Sequence, residues 1–484
     1  MSDKLTDAVK HVSEKLRSSV EGGNEVAIIT HLDADGIASG SIMSMALKRM
    51  GARYSVRAIS DINSSVIEKM RAESRDFYVI TDLGAGWASH LRKAFGNKWL
   101  IIDHHEITEE EILTDDEGQI LNPWKFGIDG GREVPAGGMA YMVASTLDLK
   151  NRDLSAIAVV SAVGDRQDQG DKRSFSGLNA EILKSAQSLG LVSVDLDIIL
   201  AGRETRPLHE ALAYTPFHYI DGLTWNTEAC YFLFKNAGVQ LKDNGSGRWR
   251  VLAEFSQEEK SAIVEAISKF VATSDERISD ILRDDLIGYV YTLSREDKRS
   301  QLRDAREFST MLNACGRTGR AGVGITICMG DRNNALSAGE EILNKYRTTL
   351  RNYISTLFSE KWRLADDGKI AFVNGDGILE EDMLGAVSSL LSGSPSLRGR
   401  LLFVRALKKE GTSYRFSARK CVDCKSRANL GVIMRGCSKA LNGTGGGHSA
   451  AAGCSIPTSG LEDFIASVKA ETTTNGPKIA KEAS

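Results

Sequence analysis

Four short apolar runs near the start of the chain each end in aspartate or histidine. The runs are Val26–Thr30 before His31, Phe77–Thr81 before Asp82, Trp99–Ile102 before Asp103-His104-His105, and Ala156–Val163 before Gly164-Asp165. Short apolar runs bounded by turn residues are typical of strands that are buried on both faces. Strand ends in an open α/β sheet meet at one edge, where ligands bind. We therefore expect several carboxylates and imidazoles to converge, and this predicts a metal site, specifically a two-metal site.

The loop after the first run supplies two of these carboxylates. Asp33 and Asp35 alternate around Ala34, and Gly36 allows a tight turn into an apolar helix from Ile37 to Met50. A single aspartate after a strand is usually a turn residue or a helix cap, and a single histidine usually has a structural role. The chain has only 8 histidines, however, and three of them lie in these motifs. This concentration favours the metal site.

The same motifs resemble a known family. His31-x-Asp33-x-Asp35-Gly36, Asp82, Asp103-His104-His105 and Gly164-Asp165 resemble the four motifs of the DHH phosphoesterase superfamily. Gly445-Gly446-Gly447-His448 resembles the glycine-rich motif of its companion DHHA1 domain, and the stretch 306–317 is similar to one in archaeal RecJ-like nucleases. The resemblance implies an α/β fold: a DHH domain built on a parallel sheet, a smaller α/β DHHA1 domain, and a cleft between them.

The resemblance also implies roles for these residues. Asp82 would bridge two divalent ions. The preferred metal is Mn²⁺, with Mg²⁺ possible, because mixed imidazole and carboxylate ligands suit these metals. His105 would contact the scissile phosphate or orient a ligand, and Asp103 would hold an imidazole in the correct tautomer. The predicted ligands of one ion are His31, Asp33 and Asp82, and those of the other are Asp35, Asp82, His104 and Asp165.

The charge distribution indicates a polyanionic substrate. Net charge is only −3, but the segment from Arg398 to Lys439 holds twelve basic and two acidic residues, a local charge of +10, whereas 103–117 is acidic. A basic domain beside an acidic metal-binding domain suits a nucleic acid held by one and cut by the other. Glycine N–H groups can approach a phosphate closely, so the predicted substrate-binding residues are Arg419, Gly445, Gly446, Gly447 and His448.

We expect three domains and a tail. They are a DHH catalytic domain at 1–202, a connecting or inserted region at 203–345, a DHHA1 substrate-binding domain at 346–470, and a disordered tail at 471–484. The absence of a long apolar segment and of a signal-peptide pattern predicts a cytoplasmic protein without a membrane partner. Seven cysteines in such a chain predict reduced thiols. Cys421, Cys424, Cys437 and Cys454 are interpreted as free thiols rather than a zinc site, because the second half of the set lacks a close pair.

The resulting hypothesis is a two-metal exonuclease acting on single-stranded DNA or RNA in DNA replication or repair, associated with the GINS replication complex as the resemblance implies. Two alternatives stay open. One is a phosphodiesterase of short oligonucleotides or cyclic dinucleotides, and the other is a non-catalytic replication scaffold like the related helicase subunit. The intact ligand set argues against the scaffold. A pyrophosphatase is disfavoured by the chain length and by the basic domain.

Overall fold

A computed structural model of the chain describes residues 3–107, 118–215, 220, 222–272 and 286–473. The chain divides into two compact units. Unit 1 comprises Met1–Tyr214 and Trp225–Leu343, and unit 2 comprises Thr215–Thr224 and Asn344–Ser484. Most of the predicted acidic segment, residues 108–117, lies outside the described residues, as does 474–484 of the predicted tail. Residues 471–473 end the last helix.

Unit 1 is built on a five-stranded parallel sheet with the strand order β2-β1-β3-β4-β5. The strands are β1 (Val26–His31), β2 (Tyr54–Ile59), β3 (Phe77–Thr81), β4 (Trp99–Ile102) and β5 (Ile120–Leu121). Every residue of β3 and β4 is buried. This is expected of parallel strands covered on both faces. The predicted parallel-sheet α/β fold of the N-terminal domain is confirmed.

Helices cover the sheet and extend the unit. They are α1 (Asp3–Glu21), α2 (Ala34–Arg49), α3 (Ser64–Glu73), α4 (Ala88–Phe95), α5 (Ala136–Leu147), α6 (Ser155–Gly164) and α7 (Gly177–Ser188). Helix α2 begins at Ala34, three residues before the predicted start at Ile37, and the Asp33 side chain caps it by accepting from Gly36 N–H at 2.9 Å.

The fourth apolar run is not a strand, contrary to the interpretation above. Ala156–Val163 lies in α6, which packs against α2, α5 and α7. A short, uniformly apolar run has no periodicity that would separate a buried strand from a buried helix. Its small residues allow close helix packing, and Asp165 follows the C-terminus of a helix rather than the end of a strand.

The rest of unit 1 is mainly helical. It contains a two-stranded antiparallel sheet, β6 (Val192–Ile198) with β7 (Ile287–Leu293). Its helices are α8 (Leu208–Ala213), α9 (Thr227–Asn236), α10 (Gln257–Ala272), α11 (Ala305–Arg317) and α12 (Ala321–Cys328). Helix α11, which carries the stretch shared with RecJ-like nucleases, contacts α2 and α6 of the sheet region.

Unit 2 begins within the long helix α13 (Asn334–Ser359) and contains a six-stranded mixed sheet. Its strands are β8 (Leu364–Asp366), β9 (Ile370–Asn374), β10 (Leu401–Leu407), β11 (Ser413–Lys420), β12 (Thr444–Gly447) and β13 (Ala451–Pro457). The order is β12-β13-β11-β10-β9-β8, with β9 and β10 parallel and the other pairs antiparallel.

Three helices complete unit 2: α14 (Leu384–Ser392), α15 (Leu430–Lys439) and α16 (Leu461–Thr473). One face of the sheet packs against α15 and α16 around Phe416 and Phe464. Another core, around Leu402 and Val404, includes residues of α13 and α14. The sheet therefore has a buried core on both faces, and the predicted α/β C-terminal domain is confirmed.

Candidate metal centre

The motif residues of unit 1 meet at one edge of the parallel sheet. Strand β1 pairs with β3 and β3 pairs with β4, with Thr30 opposite Thr81 and Thr81 opposite Ile102. The residues that follow these positions, His31, Asp82 and Asp103, therefore leave the sheet side by side. The register of three neighbouring strands thus sets the position of the centre.

A first group of ligand atoms forms around His31. Its Nδ1 lies 3.0 Å from Asp33 Oδ2 and 3.4 Å from Asp82 Oδ2. One ligand atom from each of these residues lies within 4.8 Å of the others, a spacing at which the three could hold a metal ion. His31 and Asp33 are partly exposed, at 27% and 30% of their side chains.

A second group forms around His104. Its Nε2 lies 3.2 Å from Asp82 Oδ1 and 3.5 Å from Asp35 Oδ2, and its Nδ1 lies 3.6 Å from Asp165 Oδ2. Asp35, His104 and Asp165 could hold an ion together, and so could Asp82, His104 and His105. Asp35 and His104 are each only 2% exposed, whereas Asp165 is 29% exposed, so this group extends from the buried interior towards solvent.

Asp82 lies between the two groups. One of its oxygens faces His31 and the other faces His104. Both oxygens are buried, and neither meets hydrogen-bond geometry with any donor in the described part of the chain. Its backbone is left-handed, with φ 63°. A buried carboxylate without hydrogen bonds is unfavourable unless a cation compensates it, and the donor set therefore fits metal ions.

Hydrogen bonds orient the two neighbouring imidazoles. His104 Nδ1 donates a hydrogen bond of 2.7 Å to the carbonyl oxygen of Gly130. The other ring nitrogen, Nε2, therefore faces the carboxylates. His105 Nδ1 lies 2.8 Å from Asp103 Oδ1. Asp103 also accepts from the backbone N–H of His104 at 2.8 Å. Such contacts fix the tautomer of a ligating histidine.

The pKa values reflect a crowded set of charges. Burial, with the charge of Asp82, raises the pKa of Asp35 well above its usual range, and burial raises the pKa of Asp165 to about 6. Burial opposes protonation of His31 and His104, but the nearby carboxylates outweigh it, and both pKa values lie well above the ordinary value. The carboxylates outnumber the imidazoles, which makes the centre attractive to cations.

Several residues that sequence reasoning did not identify hold the ligands in place. Asp35 accepts hydrogen bonds from Ala136 N–H and Gly137 N–H, each at 2.8 Å, and from Ser161 Oγ at 2.5 Å. Gln167 Nε2 donates to Asp165 Oδ2 and to the Gly130 carbonyl, both at 2.7 Å. These residues have no local sequence pattern that relates them to the ligands, because the contacts form only when α5 and α6 pack.

Helix α11 supports the start of α2, where Asp33 is the N-cap and Asp35 lies in the first turn. Asn313 Oδ1 accepts from Ala34 N–H at 3.1 Å. A Cβ at Gly316 would lie 1.5 Å from the carbonyl oxygen of Leu32, so only glycine allows this close approach. The stretch 306–317 therefore takes part in building the centre, although none of its residues belongs to the predicted ligand set.

The predicted substrate-binding residues lie together in unit 2. Gly445, Gly446 and Gly447 form most of the edge strand β12, and His448 follows it on the surface. Gly447 pairs with Ala452 of β13, and Arg419 of β11 pairs with Ala451. Arg419 and the glycine run therefore reach the same end of the sheet. Arg419 donates to the carbonyl oxygen of Ala418 at 2.9 Å and is partly buried.

The cysteines of unit 2 are buried or partly buried free thiols in the structure. Burial raises the pKa of Cys421 to about 12 and that of Cys437 to about 11. The groups able to hold a metal ion within the described ranges consist of histidine and aspartate. No helix in those ranges is long and apolar enough to cross a lipid bilayer.

Comparison with known proteins agrees with this architecture. Residues 25–164 match the N-terminal domain of the DHH family, residues 200–283 match the DHH-CID domain, and residues 369–474 match the DHHA1 domain. The uncharacterized protein MJ0831 of Methanocaldococcus jannaschii is 28% identical over 467 residues, which are 96% of this chain and 95% of that protein.

Solved structures share the fold at low sequence identity. RecJ from Thermus thermophilus in complex with Mn²⁺ has a TM-score of 0.58 at 15% identity, with 96% of this chain and 55% of that chain covered. The present chain thus spans little more than half of that protein. CDC45 from Entamoeba histolytica has a TM-score of 0.61 at 12% identity, with 97% and 99% covered. An exonuclease RecJ bound to manganese has a TM-score of 0.55 at 14% identity, with 99% and 97% covered.

The sheet with its converging aspartates and histidines, the mixed sheet of unit 2 and the three family matches lead to the same assignment. The chain belongs to the DHH/DHHA1 superfamily and has a RecJ-like fold.

Proposed function

We propose that this protein is a two-metal phosphodiesterase that degrades single-stranded nucleic acid from an end. The observation that carries the proposal is the position of Asp82. Its two buried oxygens face two different groups of ligands, as a carboxylate shared by two ions requires. Paired divalent ions stabilise both the attacking and the leaving oxygen in phosphodiester hydrolysis.

The ligand atoms divide naturally between two ions. His31 and Asp33 lie on one side of Asp82, and Asp35, His104 and Asp165 lie on the other. The hydrogen bond from His104 Nδ1 to the Gly130 carbonyl presents Nε2 as the ligand atom. Imidazole and carboxylate donors favour Mn²⁺, with Mg²⁺ as the other candidate. That RecJ structures contain Mn²⁺ or Mg²⁺ supports this choice.

His105 is placed to act on the substrate rather than to complete the ligand set. Its side chain is 48% exposed, whereas His31 is 27% and His104 2% exposed. Asp103 holds its Nδ1 and, despite burial, raises its pKa. A protonated imidazole at the open side of the centre can donate a hydrogen bond to a scissile phosphate.

Unit 2 is proposed to hold the strand. The sequence charge of +10 between Arg398 and Lys439 and the shared sheet end of Arg419 and the glycine run support this role. A phosphodiesterase of short oligonucleotides or cyclic dinucleotides would use the same centre, and a replication scaffold would not need it. Participation in replication or repair, with GINS as a partner, is also proposed from the family resemblance. Enrichment of GINS subunits with the tagged protein from native extract would test that partnership.

One assay separates these functions. Single strands of DNA and RNA, labelled at either end, and in parallel labelled dinucleotides and trinucleotides, are incubated with Mn²⁺, with Mg²⁺ and with EDTA. Stepwise shortening from one end with Mn²⁺, and none with EDTA, is the expected result. Cleavage of only dinucleotides and trinucleotides would establish the short-substrate enzyme instead. Absence of hydrolysis under every metal condition would overturn the enzymatic function.

A further inference from the structure

Arginine side chains without ion-pair partners lie beside the metal centre. Arg166 immediately follows the predicted ligand Asp165, and Arg173 follows seven residues later. Both are exposed, and neither guanidinium has a hydrogen bond or an ion pair within the described parts of the chain. Arginines that serve only to stabilise a fold are usually paired, as Arg306 is with Asp168 at 2.6 Å.

These cations repel one another. Although Arg166 is accessible to solvent, the protein around it displaces enough water to lower its pKa, and the positive charges of Arg173 and Arg317 lower it further, whereas Asp168 and Asp165 act in the opposite direction. Asp168 is already engaged by Arg306, and Asp165 faces the metal centre. Neither the Arg166 nor the Arg173 guanidinium is therefore paired with an anion in the described parts of the chain, and an anionic ligand would supply the missing partner.

The backbone that presents them is unusual. Arg166, Lys172 and Arg173 have φ values of 56°, 50° and 64°, three left-handed residues other than glycine within eight positions. Such conformations persist where the surrounding structure imposes them, and they cluster at ligand sites.

The surrounding structure here holds the turn firmly. Tyr291 of β7 donates its hydroxyl to the carbonyl of Arg173 at 2.7 Å and stacks on Phe175 at 4.4 Å. A Cβ at Gly288 would lie only 2.7 Å from the carbonyl oxygen of Lys172.

We propose that Arg166 and Arg173 form a binding site for a non-scissile backbone phosphate of the nucleic-acid strand, next to the metal centre in unit 1. The inference rests on the proposed function and deepens it, because it assigns a contact that places the scissile bond relative to the ions. Guanidinium groups suit this role, since they bind phosphate oxygens in pairs and stay charged at all working pH values.

The test compares Arg166→Ala and Arg173→Ala with Arg152→Ala, all in the full chain. Arg152 is also an exposed arginine of unit 1, but its neighbours Asn151 and Asp153 contact Arg49 at the end of α2 opposite the metal centre. In EDTA, fluorescence anisotropy with a labelled single strand should show binding weakened about tenfold to a hundredfold by either site variant. The salt slope should fall by about 0.7 for each lost phosphate contact. Arg152→Ala should bind as the parent does.

Two further measurements show whether the weaker strand binding comes from a lost phosphate contact or from a damaged metal centre. Mn²⁺ affinity by calorimetry should be unchanged in the site variants. With Mn²⁺, hydrolysis of bis(4-nitrophenyl) phosphate, a diester without a flanking phosphate, should also be unchanged while KM for the strand rises. Unaltered strand binding in both variants would overturn the proposal, and so would an equal loss of Mn²⁺ binding. If inorganic phosphate at millimolar concentration bound the parent as tightly as the strand, the site would serve a free anion, and the strand assignment would be wrong.

Failure of this inference and failure of the proposed function can be told apart. If the parent hydrolyses nothing, the phosphodiesterase is refuted, while the binding arm in EDTA still decides whether these arginines hold a strand. Arg166 and Arg173 lie on different sides of the Gly170 turn, so a folding defect in one variant leaves the other as a test. Arg166→Lys, which keeps the charge but loses the paired donors, should fall between the parent and Arg166→Ala.

Discussion

The metal centre of unit 1 and the glycine-rich strand β12 of unit 2 use their motif residues differently. In the centre, the motif side chains face one another, and their contacts with the fold serve to aim them. In β12, part of the motif serves packing. A Cβ at Gly445 would lie 2.6 Å from the carbonyl oxygen of Met434 in α15, and a Cβ at Gly431 of α15 would lie 2.1 Å from that of Gly447. These glycines let helix and strand approach closely. Gly446 differs, because its Cβ would meet nothing nearer than Arg435 Nη2 at 3.7 Å.

The comparison shows how far each kind of motif specifies function. Buried aspartates and histidines at strand ends are costly for a fold that gains nothing from them. Glycines have a structural use wherever backbones pack tightly. An equally clear sequence motif is therefore better evidence of function when it consists of aspartates and histidines, as in unit 1, than when it consists of glycines, as in unit 2.

The largest effect is expected at Asp82. Asp82→Ala should reduce Mn²⁺-dependent hydrolysis by at least about a thousandfold, or about 4 kcal/mol in activation free energy, because both ions lose their shared ligand. Circular dichroism should show an intact fold. Without metal, the melting temperature should equal or exceed that of the parent, because the carboxylates of Asp35 and Asp165 no longer face the negative charge of Asp82. Full activity of this variant with Mn²⁺ would refute the two-metal assignment.

A smaller effect is expected at His448. His448→Ala should lower kcat/KM for single strands about tenfold to a hundredfold, as expected for one charge-assisted hydrogen bond, and should leave Mn²⁺ affinity unchanged. His90→Ala, which removes an exposed imidazole from α4, is the matched control. Loss of metal binding in the His448 variant, or parental activity, would contradict a substrate role for this end of the sheet.

Two single substitutions can separate glycines that are needed for packing from glycines that are free to contact a phosphate. Gly445→Ala should lower the free energy of unfolding by about 1–3 kcal/mol, because the new methyl group collides with α15. Gly446→Ala should leave stability equal or raise it by up to about 1 kcal/mol, since the unfolded chain loses freedom. Chemical denaturation measures both. If Gly446→Ala nevertheless weakens strand binding, Gly446 approaches a phosphate; if both variants are equally stable, the packing explanation fails.

The smallest effect concerns the basic surface of unit 2. Lys408 and Lys409 follow β10 and have no ion pair among the described residues, so Lys408→Ala with Lys409→Ala should reduce the salt slope of strand binding by about 0.7 per contact. Arg405 is the contrasting control, since it pairs with Asp376 at 2.9 Å and lies over the ring of Tyr414. Arg405→Ala should lower the free energy of unfolding and leave the salt slope of strand binding unchanged. A lower salt slope with unchanged stability would instead show that Arg405 contacts the substrate.

The sequence predicted the α/β fold of both domains and the convergence of the motif residues in unit 1, the latter for a physical reason. Strand ends in a parallel sheet converge by geometry, so His31, Asp82 and His104 could be placed together from sequence alone. Asp165 was placed with them, but on a strand, because a uniformly apolar run of small residues does not reveal a helix. The contacts of Ser161, Gln167 and Asn313 could not be predicted, since each depends on packing between elements distant in sequence. The packing use of Gly445 depends on α15 in the same way.

The carbonyl oxygen of Gly130 bears on how tightly each of the two proposed ions would be held. It accepts hydrogen bonds from His104 and from Gln167, and Gln167 donates to Asp165, so one peptide group helps to orient two predicted ligands, the buried His104 and the partly exposed Asp165. Hydrogen bonds thus hold both side chains in place, and less side-chain entropy would be lost if an ion bound there. His31 and Asp33, on the other side, are partly exposed. In the proposed two-metal enzyme, we therefore expect the ion beside His104 to bind more tightly and the ion beside His31 to exchange more readily with solvent.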